Sequence, residues 1–226
     1  MKIFDLILET LFPAHCIVCR AEGHFLCEDC SKQIIPLSEQ FCPVCREVSR
    51  HGATCPNCRQ KTKLDGLVVW ASYHQNSVLQ KAIADGKYLR HPETLKILGD
   101  LLMRRFLAED LGKVIFVPVP LHWWRRWWRG FNQAERLLTS VQDKNSLQNL
   151  LKRTRYTTPQ VQVASRAKRL KNMHDVFVCK TDLSRRAEIF VIVDDVSSTG
   201  ATLEDCARAL KKAGAHEVYG LVLARG

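Results

Sequence analysis

The sequence has no long hydrophobic run, and none of its apolar stretches reaches the roughly eighteen residues that a membrane-spanning helix needs. It also lacks a secretory signal, because Asp5 and Glu9 interrupt the apolar residues at 1–12 and no small-residue cleavage site follows. We therefore expect a short packed helix at 1–12, no membrane insertion and a cytoplasmic location, where disulfides are disfavoured.

Acidic residues are scarce in most of the chain. Residues 1–61 balance seven basic against seven acidic side chains, whereas residues 62–226 have twenty-seven basic and sixteen acidic ones and supply the whole net charge of +11. Residues 152–171 contain seven basic residues and no acid. This segment is interpreted as a mobile loop that closes over a polyanion or follows a nucleic-acid backbone. A solvated loop without a partner stays open as the alternative.

Residues 13–60 lack long periodic apolar stretches, so their own core is too small to fold without a metal. Four Cys-x-x-Cys pairs lie there, and tetrahedral zinc accepts four thiolates, two from each pair. We favour two structural zinc ribbons in sequence; an interleaved pairing and iron–sulfur ligation are the alternatives. The predicted ligands are Cys16, Cys19, Cys27 and Cys30 for the first ribbon, and Cys42, Cys45, Cys55 and Cys58 for the second.

The pattern changes at Gly66, where strands begin to alternate with helices. This alternation predicts an α/β domain with a parallel sheet and right-handed crossovers at 62–226, after a zinc-ribbon module at 1–61. The predicted strands are 67–73, 113–119, 150–154, 188–193 and 217–223, and the predicted helices begin after Ser77 and span 92–107, 131–141 and 202–213.

A phosphate-binding turn follows the apolar strand that ends at Val193. Its residues Ser198, Thr199, Gly200, Ala201 and Thr202 open a helix, whose free N–H groups and dipole favour a phosphate. The preceding acids, Asp194 and Asp195, would repel a phosphate but suit the hydroxyls of a diol. A diol beside a 5-phosphate is a ribose phosphate, and the arrangement resembles the signature of type I phosphoribosyltransferases.

A second segment at a strand end is rich in arginine and tryptophan. Arg125 and Arg129 are candidates for binding a pyrophosphate. Four of the five tryptophans, at 123, 124, 127 and 128, could stack on nucleic-acid bases. We expect at least two of them to be packed inside the protein instead, because four exposed tryptophans would form a large apolar patch.

The whole chain resembles the ComF/GntX family, in which a double zinc ribbon precedes a phosphoribosyltransferase-like domain. The resemblance rests on the cysteine pairs, Gly86-Lys87-Tyr88, Pro118 to Leu121, Arg129 to Glu135, Arg153 to Gln160, Arg166 with Asn172, and the loop from Asp194. It implies phosphoribosyl pyrophosphate (PRPP) with Mg²⁺ as ligand. Asp194 and Asp195 would hold the ribose as the catalytic pair, and Ser198 to Thr202 the 5-phosphate. Arg125 and Arg129 would contact the pyrophosphate, and Lys87 and the basic loop could close the site.

The resemblance also implies work on DNA uptake in natural transformation or on use of external DNA, and it leaves three functions open. One is a PRPP-binding protein that also binds single-stranded DNA. The second is a metabolic, Mg²⁺-dependent phosphoribosyltransferase acting on a nucleobase or amine. The third is a non-catalytic adaptor that docks a DNA-uptake helicase or pore component.

Overall fold

The structure, a computed structural model, describes residues 13–74, 77–89, 91–107, 113–141, 143, 146–155, 175–186 and 188–226. Its main sheet has four parallel strands in the order β1-β6-β5-β2. These strands are β1 Gly66–Ser72, β2 Val114–Pro118, β5 Ile189–Ser197 and β6 Glu217–Arg225, and a separate antiparallel hairpin pairs β3 Leu151–Arg153 with β4 Phe177–Cys179. The predicted parallel α/β sheet is thereby confirmed.

Short helices surround the sheet. They are α1 Glu28–Ser31, α2 Ser77–Ala84, α3 Pro92–Leu107, α4 Trp123–Arg129, α5 Gln133–Leu137 and α6 Ala201–Lys212, with 3-10 turns at Arg50–Gly52 and Pro56–Lys61 and a π-helical turn at Asp85–Leu89. No helix among the described residues has the length and apolar character needed to cross a membrane. The helix expected at 1–12 lies outside the described residues.

The helix predicted at 131–141 is shorter than expected. The Asn132 side chain accepts a hydrogen bond from the backbone N–H of Ala134 and so caps the start of α5. The same side chain donates to the carbonyl of Val119, which ties this cap to the chain just beyond β2. The buried side chain of Asn132 therefore fixes the residue at which α5 begins. The spacing of apolar residues, on which the prediction rested, does not reveal such a cap.

The sheet separates two apolar cores, because successive side chains of a strand point to opposite faces. Val68 and Trp70 of β1 face a core formed with α2, α3, α5 and the first zinc ribbon. Leu67 and Val69 face a second core formed with α6 and the β3–β4 hairpin. Burial on both faces explains why β5 reads as a continuous apolar run.

The zinc-ribbon module covers the outer edge of the sheet at β1. The Gln40 side chain donates to the carbonyl of Val69 and accepts from the N–H of the same residue, at 2.9 and 2.8 Å. Isolated bridges join Pro36 to Ala71 and Ala53 to Gly66. These contacts satisfy backbone groups that an uncovered edge strand would expose to pairing with another chain.

Candidate functional site

The acid pair lies within the end of β5. The sequence analysis placed the end of this strand at Val193, but β5 continues to Ser197 and carries both acids. Asp194 pairs in register with Val222 of β6, and Val193 lies opposite Pro118, where β2 ends. The two carboxyl groups therefore lie at the carboxyl edge of the parallel sheet, the edge at which α/β proteins bind ligands.

The turn after β5 leads directly into α6. Gly200 caps the start of this helix with φ 78° and ψ −2°, a left-handed conformation that favours glycine. A Cβ atom at this position would meet no atom within 4 Å, so the space beside the turn is open. The Thr199 hydroxyl accepts a hydrogen bond from the N–H of Ala201 at 3.3 Å. The five residues predicted to bind phosphate thus form a continuous turn at a helix N-terminus.

Lys87 reaches the acid pair from the π-helical turn. Its Nζ lies 2.8 Å from Oδ2 of Asp195, in a pair whose side chains are 20% and 10% exposed. Burial alone would lower the pKa of Lys87, but the Asp195 and Asp194 carboxylates outweigh it and raise that pKa. Lys87 is therefore a charged lysine held against the acid pair.

The two carboxyl groups have different surroundings. Asp195 is 7% exposed, pairs with Lys87 and accepts a hydrogen bond from the N–H of Val196. Burial, and then the charge of Asp195, raise the pKa of Asp194 to about 7, against the opposing effects of the Asp195 N–H, Lys87 and Arg153. Asp194 is therefore the carboxyl group that gains and loses a proton near neutral pH.

The arginines at the second strand end are only partly described. Both lie on α4, which starts three residues after Pro120, but nothing of the Arg125 side chain is described. The Arg129 guanidinium lies over the ring of Tyr88, with 5.5 Å from its carbon to the ring centroid. Tyr88 is the residue after Lys87, so Arg129 lies against the turn that carries the lysine.

All four tryptophans of α4 are exposed, so the expectation that at least two would be packed inside the protein is wrong. Their exposed fractions are 69% for Trp123, 51% for Trp124, 74% for Trp127 and 53% for Trp128. Trp124 and Trp127 stack on each other with ring centroids 5.5 Å apart. Their spacing places them on one side of the helix, and no element among the described residues buries that side.

The eight predicted cysteine ligands form two clusters of four, in sequential order. In each cluster the sulfur atoms all lie within 4.8 Å of one another. Measured separations are 3.6 Å for Cys19 to Cys27, 3.9 Å for Cys42 to Cys55 and 3.7 Å for Cys45 to Cys55. A zinc–sulfur bond of about 2.3 Å gives tetrahedral edges of about 3.8 Å, so the clusters fit structural zinc and the interleaved pairing is excluded.

Backbone N–H groups also prepare the first cluster for a metal. Burial raises the pKa of Cys16, but N–H groups of Cys27, Cys19 and Val18 directed at its sulfur bring that pKa down to about 6. Cys42 in the second cluster also has a pKa lowered to about 6, for the same kind of reason. One thiolate per cluster is therefore available at neutral pH before a metal binds.

Comparisons with known proteins agree with this architecture. A family model described as a double zinc ribbon domain matches residues 7–59, and one described as a phosphoribosyl transferase domain matches residues 128–226. Competence protein F of Haemophilus influenzae is 32% identical over 230 residues, which cover 96% of this chain and 99% of the relative. The chain belongs to the ComF/GntX family.

Other members of the ComF/GntX family align over most of their length. DNA utilization protein YhgH of Escherichia coli K12 is 32% identical, covering 94% of this chain and 97% of the relative. Competence protein ComFC of Streptococcus pneumoniae is 29% identical, covering 92% of this chain and 91% of the relative. The resemblance stated from sequence motifs is thereby confirmed.

Sequence reasoning missed a buried carboxylate in this ComF/GntX chain. Asp205 of α6 is 2% exposed and accepts hydrogen bonds from the N–H groups of residues 175–177 at 2.8, 2.7 and 3.1 Å. It thereby fixes β4 just after residues 156–174, which include most of the basic segment and lie outside the described residues. Its position in α6 carries no motif that could have shown this partner.

Arg153 of β3 is the second residue whose place was not foreseen. Its guanidinium lies over the ring of Phe177, 5.5 Å from the centroid, and its charge lowers the pKa of Asp194. The sequence placed Arg153 in the predicted strand at 150–154 and in the basic segment, but gave it no role at the acid pair. The β3–β4 pairing, which a three-residue strand cannot announce, brings it towards the acid pair.

Proposed function

We propose that this protein binds PRPP with Mg²⁺ at the turn after β5, in cytoplasmic steps of DNA uptake or of DNA use. The observation that carries the proposal is the juxtaposition of the acid pair, Lys87 and the N-terminus of α6 at one sheet edge. Carboxylates accept hydrogen bonds from ribose hydroxyls, and the N–H groups of the turn suit a phosphate. Two relatives carry competence in their names and one DNA utilization, which supports the process.

The cations near the acid pair suit the pyrophosphate of PRPP. Lys87 lies inside the site, and Arg129 packs on Tyr88 beside it. Mg²⁺ would be held by oxygens of the ligand, with the Asp194 and Asp195 carboxylates as further hard oxygen donors. When bound, the ion supplies charge neutralisation for the pyrophosphate. When the ligand binds, Lys87 would leave its ion pair with Asp195 and pair with the pyrophosphate instead.

Comparing partial ligands tests the assignment of the subsites. Titrations with PRPP, ribose 5-phosphate and pyrophosphate, each with Mg²⁺, should show the tightest binding for PRPP and weaker binding for both fragments. Ser198→Ala with Thr202→Ala should weaken ribose 5-phosphate and leave pyrophosphate unchanged. Equal loss for both fragments would contradict the assignment of the turn to the 5-phosphate.

We further propose that α4 binds single-stranded DNA. Four exposed tryptophans next to Arg126 and Arg129 offer stacking surfaces beside positive charge, which is the combination that binds single strands without sequence preference. The helix follows the strand end next to the acid pair, so bound DNA would lie beside the phosphoribosyl site. The positive charge of residues 62–226 adds attraction for a polyanion.

Substitution of two tryptophans tests the DNA site. Trp123→Ala with Trp127→Ala should weaken binding of a single-stranded oligonucleotide by about tenfold or more, since each stacked base contributes on the order of 1–3 kcal/mol. Ile35→Ala, which removes a 71% exposed apolar side chain on the zinc-ribbon module, should leave binding unchanged. Equal effects of both changes, or no binding by the unchanged protein at low salt, would contradict the proposal.

A phosphoribosyl transfer reaction is a second candidate, favoured by the near-neutral pKa of Asp194. In such a reaction the acceptor nitrogen forms a bond to C1 of the ribose while pyrophosphate leaves with its electron pair. Asp194 could take the proton that the nitrogen loses. Release of pyrophosphate in the presence of nucleobases or amines would support it, and PRPP binding without turnover would favour a binding protein or an adaptor.

A further inference from the structure

The π-helical turn that carries Lys87 is held by its neighbours on α3. The Asp85 side chain, 4% exposed, accepts a hydrogen bond from the hydroxyl of Thr94 at 2.7 Å and lies 2.9 Å from Nδ1 of His91. A Cβ atom on Gly86 would come within 2.5 Å of Leu95, so glycine allows this turn to pack against α3. The position of Lys87 thus depends on the side chains around Asp85.

The first zinc ribbon contacts His91, which follows this turn in the sequence, through an aromatic stack. Phe25 of the ribbon stacks on the His91 ring, with centroids 4.6 Å apart and planes inclined by 27°. A cleft of about 790 Å³ lies beside the stack and is lined by residues of the ribbon and of the turn, Arg20, Asp85 and Tyr88 among them. The two stacked rings line this cleft too, so the ribbon and the turn meet around it.

The metal ligands fix Phe25 within the ribbon. Phe25 lies between Cys19 and Cys27, and its carbonyl accepts a hydrogen bond from the N–H of Ile17 at 3.0 Å. Zinc bound by this cluster therefore restricts the backbone on both sides of Phe25. The ribbon is thus linked to the acid pair in steps. Phe25 stacks on His91, His91 contacts Asp85, the backbone of the turn joins Asp85 to Lys87, and Lys87 pairs with Asp195.

We propose that the first zinc ribbon positions Lys87 in the ribose-phosphate site, with Phe25, His91 and Asp85 as positioning residues. The ribbon is then a working part of the ligand site as well as a cover for the sheet. The link to ligand affinity rests on the proposed function, whereas the link to the turn does not. The second ribbon contacts β1 and the end of β6 and provides a control.

Hydrogen exchange measured by mass spectrometry tests the link to the turn without any ligand. Phe25→Ala and His91→Gln should each speed exchange in residues 85–89 by roughly fivefold, because the turn loses a tertiary contact. Phe25→Tyr keeps a ring and should keep the slow exchange. Phe41→Ala removes a comparably half-buried ring from the second ribbon and should have no effect on this turn.

Calorimetry with PRPP and Mg²⁺ then tests the link to the ligand. Phe25→Ala should weaken binding by roughly fivefold, within the range of couplings carried through packed side chains, and should have no further effect when Lys87→Met is already present. Zinc content is measured for every variant. If Phe25→Ala loses its metal, His91→Gln still tests the link, because it leaves the sequence of the ribbon unchanged.

The outcomes separate the inference from the proposed function. If exchange at 85–89 in Phe25→Ala and His91→Gln matches that in Phe41→Ala, the ribbon does not position the turn and the inference is wrong. If the unchanged protein binds no PRPP, the proposed function is wrong, and the exchange experiment still decides whether the ribbon holds Lys87.

Discussion

Asp194 and Asp195 are adjacent in sequence, yet the fold assigns them different chemistry. Neighbouring residues of a strand point to opposite sides, so only one of them can meet Lys87 directly. Asp195 forms that ion pair, whereas Asp194 is largely shielded from water beside a carboxylate, which favours its neutral form. The pair therefore presents one carboxylate held in an ion pair with Lys87 and one carboxyl group whose charge responds to pH.

Replacement of Asp194 by asparagine should raise stability at alkaline pH. The folded-state pKa of Asp194, about 7, lies above the ordinary value of 3.8, so the wild type loses the contribution of this group as pH rises from about 4 to 7. Asp194→Asn avoids that loss. We expect a gain of about 2 kcal/mol at pH 8, roughly half of the full shift because the side chain keeps some contact with water.

Urea unfolding of the wild type and of Asp194→Asn at pH 5.5 and pH 8 measures this difference. The gain at pH 5.5 should be about half of that at pH 8, because at the lower pH the folded carboxyl group is still protonated while that of the unfolded chain has already ionised. A gain that is the same at both pH values would show that Asp194 does not titrate in this range.

Gly200 is the backbone counterpart of the acid pair. Alanine at φ 78° costs about 1 kcal/mol, while a Cβ there meets no protein atom but would point into the open space beside the turn. Gly200→Ala should therefore lose both stability and PRPP affinity. Gly23→Ala, at φ 100° and also without neighbours within 4 Å, should lose stability alone. Thermal unfolding and calorimetry on both variants check this, and equal affinity in both would contradict it.

At the scale of elements, strongly patterned segments were predicted well. Helix α3 has the predicted bounds of 92–107, because leucines at helical spacing and Pro92 at its start agree. Strand β4 was not predicted, because three residues show no periodicity and because its partner, β3, lies far from it in the sequence. The tryptophans of α4 show helical spacing too, but spacing cannot reveal whether another element covers that face.

In the candidate site, too, residues that are contiguous in sequence could be predicted, whereas contacts between distant segments could not. The run from Asp194 to Thr202 is contiguous, so its strand, turn and helix could be predicted together. Contacts between distant segments could not: the ion pair of Lys87 with Asp195 joins residues from different crossovers, and Asp205 binds backbone N–H groups of another element. Such contacts depend on tertiary packing that local patterns do not encode.

The β3–β4 hairpin should be the element most sensitive to Asp205. Asp205→Ala leaves three N–H groups, two of them buried, without their acceptor and should cost about 3 kcal/mol in the free energy of unfolding. Asp182 is an exposed acid that accepts a hydrogen bond from the N–H of Ser184. Asp182→Ala should cost less than about 1 kcal/mol, because it removes a single exposed hydrogen bond. Urea unfolding measures both, and similar losses would contradict the anchoring role.

At the scale of the whole molecule, the zinc ribbons and the sheet share contacts. The first ribbon contributes Leu26 and Ile34 to the core on one face of the sheet, and Arg225 of β6 donates to the carbonyl of Pro43 in the second ribbon. We keep the boundary between residues 61 and 62 as a proposal for the limits of the two modules. Because the two modules share these contacts, we expect them to unfold together.

Removal of zinc should destabilise the entire chain. Chelation should lower the midpoint of a single thermal transition by about 10 °C, the shift that a loss of about 4 kcal/mol gives a chain of this size. Differential scanning calorimetry with and without chelator measures it, and added zinc should restore the midpoint. An unchanged main transition, preceded by a separate small one, would mean that the ribbons unfold independently.

Binding of PRPP is the measurement that bears most directly on the central claim, which is that the end of β5 and the start of α6 hold a ribose phosphate. Calorimetry with Mg²⁺ should show saturable binding to the wild type. Asp194→Asn with Asp195→Asn should weaken it by about a hundredfold, because two sets of charged hydrogen bonds are lost. Asp29→Asn with Glu39→Gln makes the same change in charge on the exposed ribbon surface and should bind like the wild type. Absence of binding to the wild type, or equal affinity in both double variants, would contradict the claim.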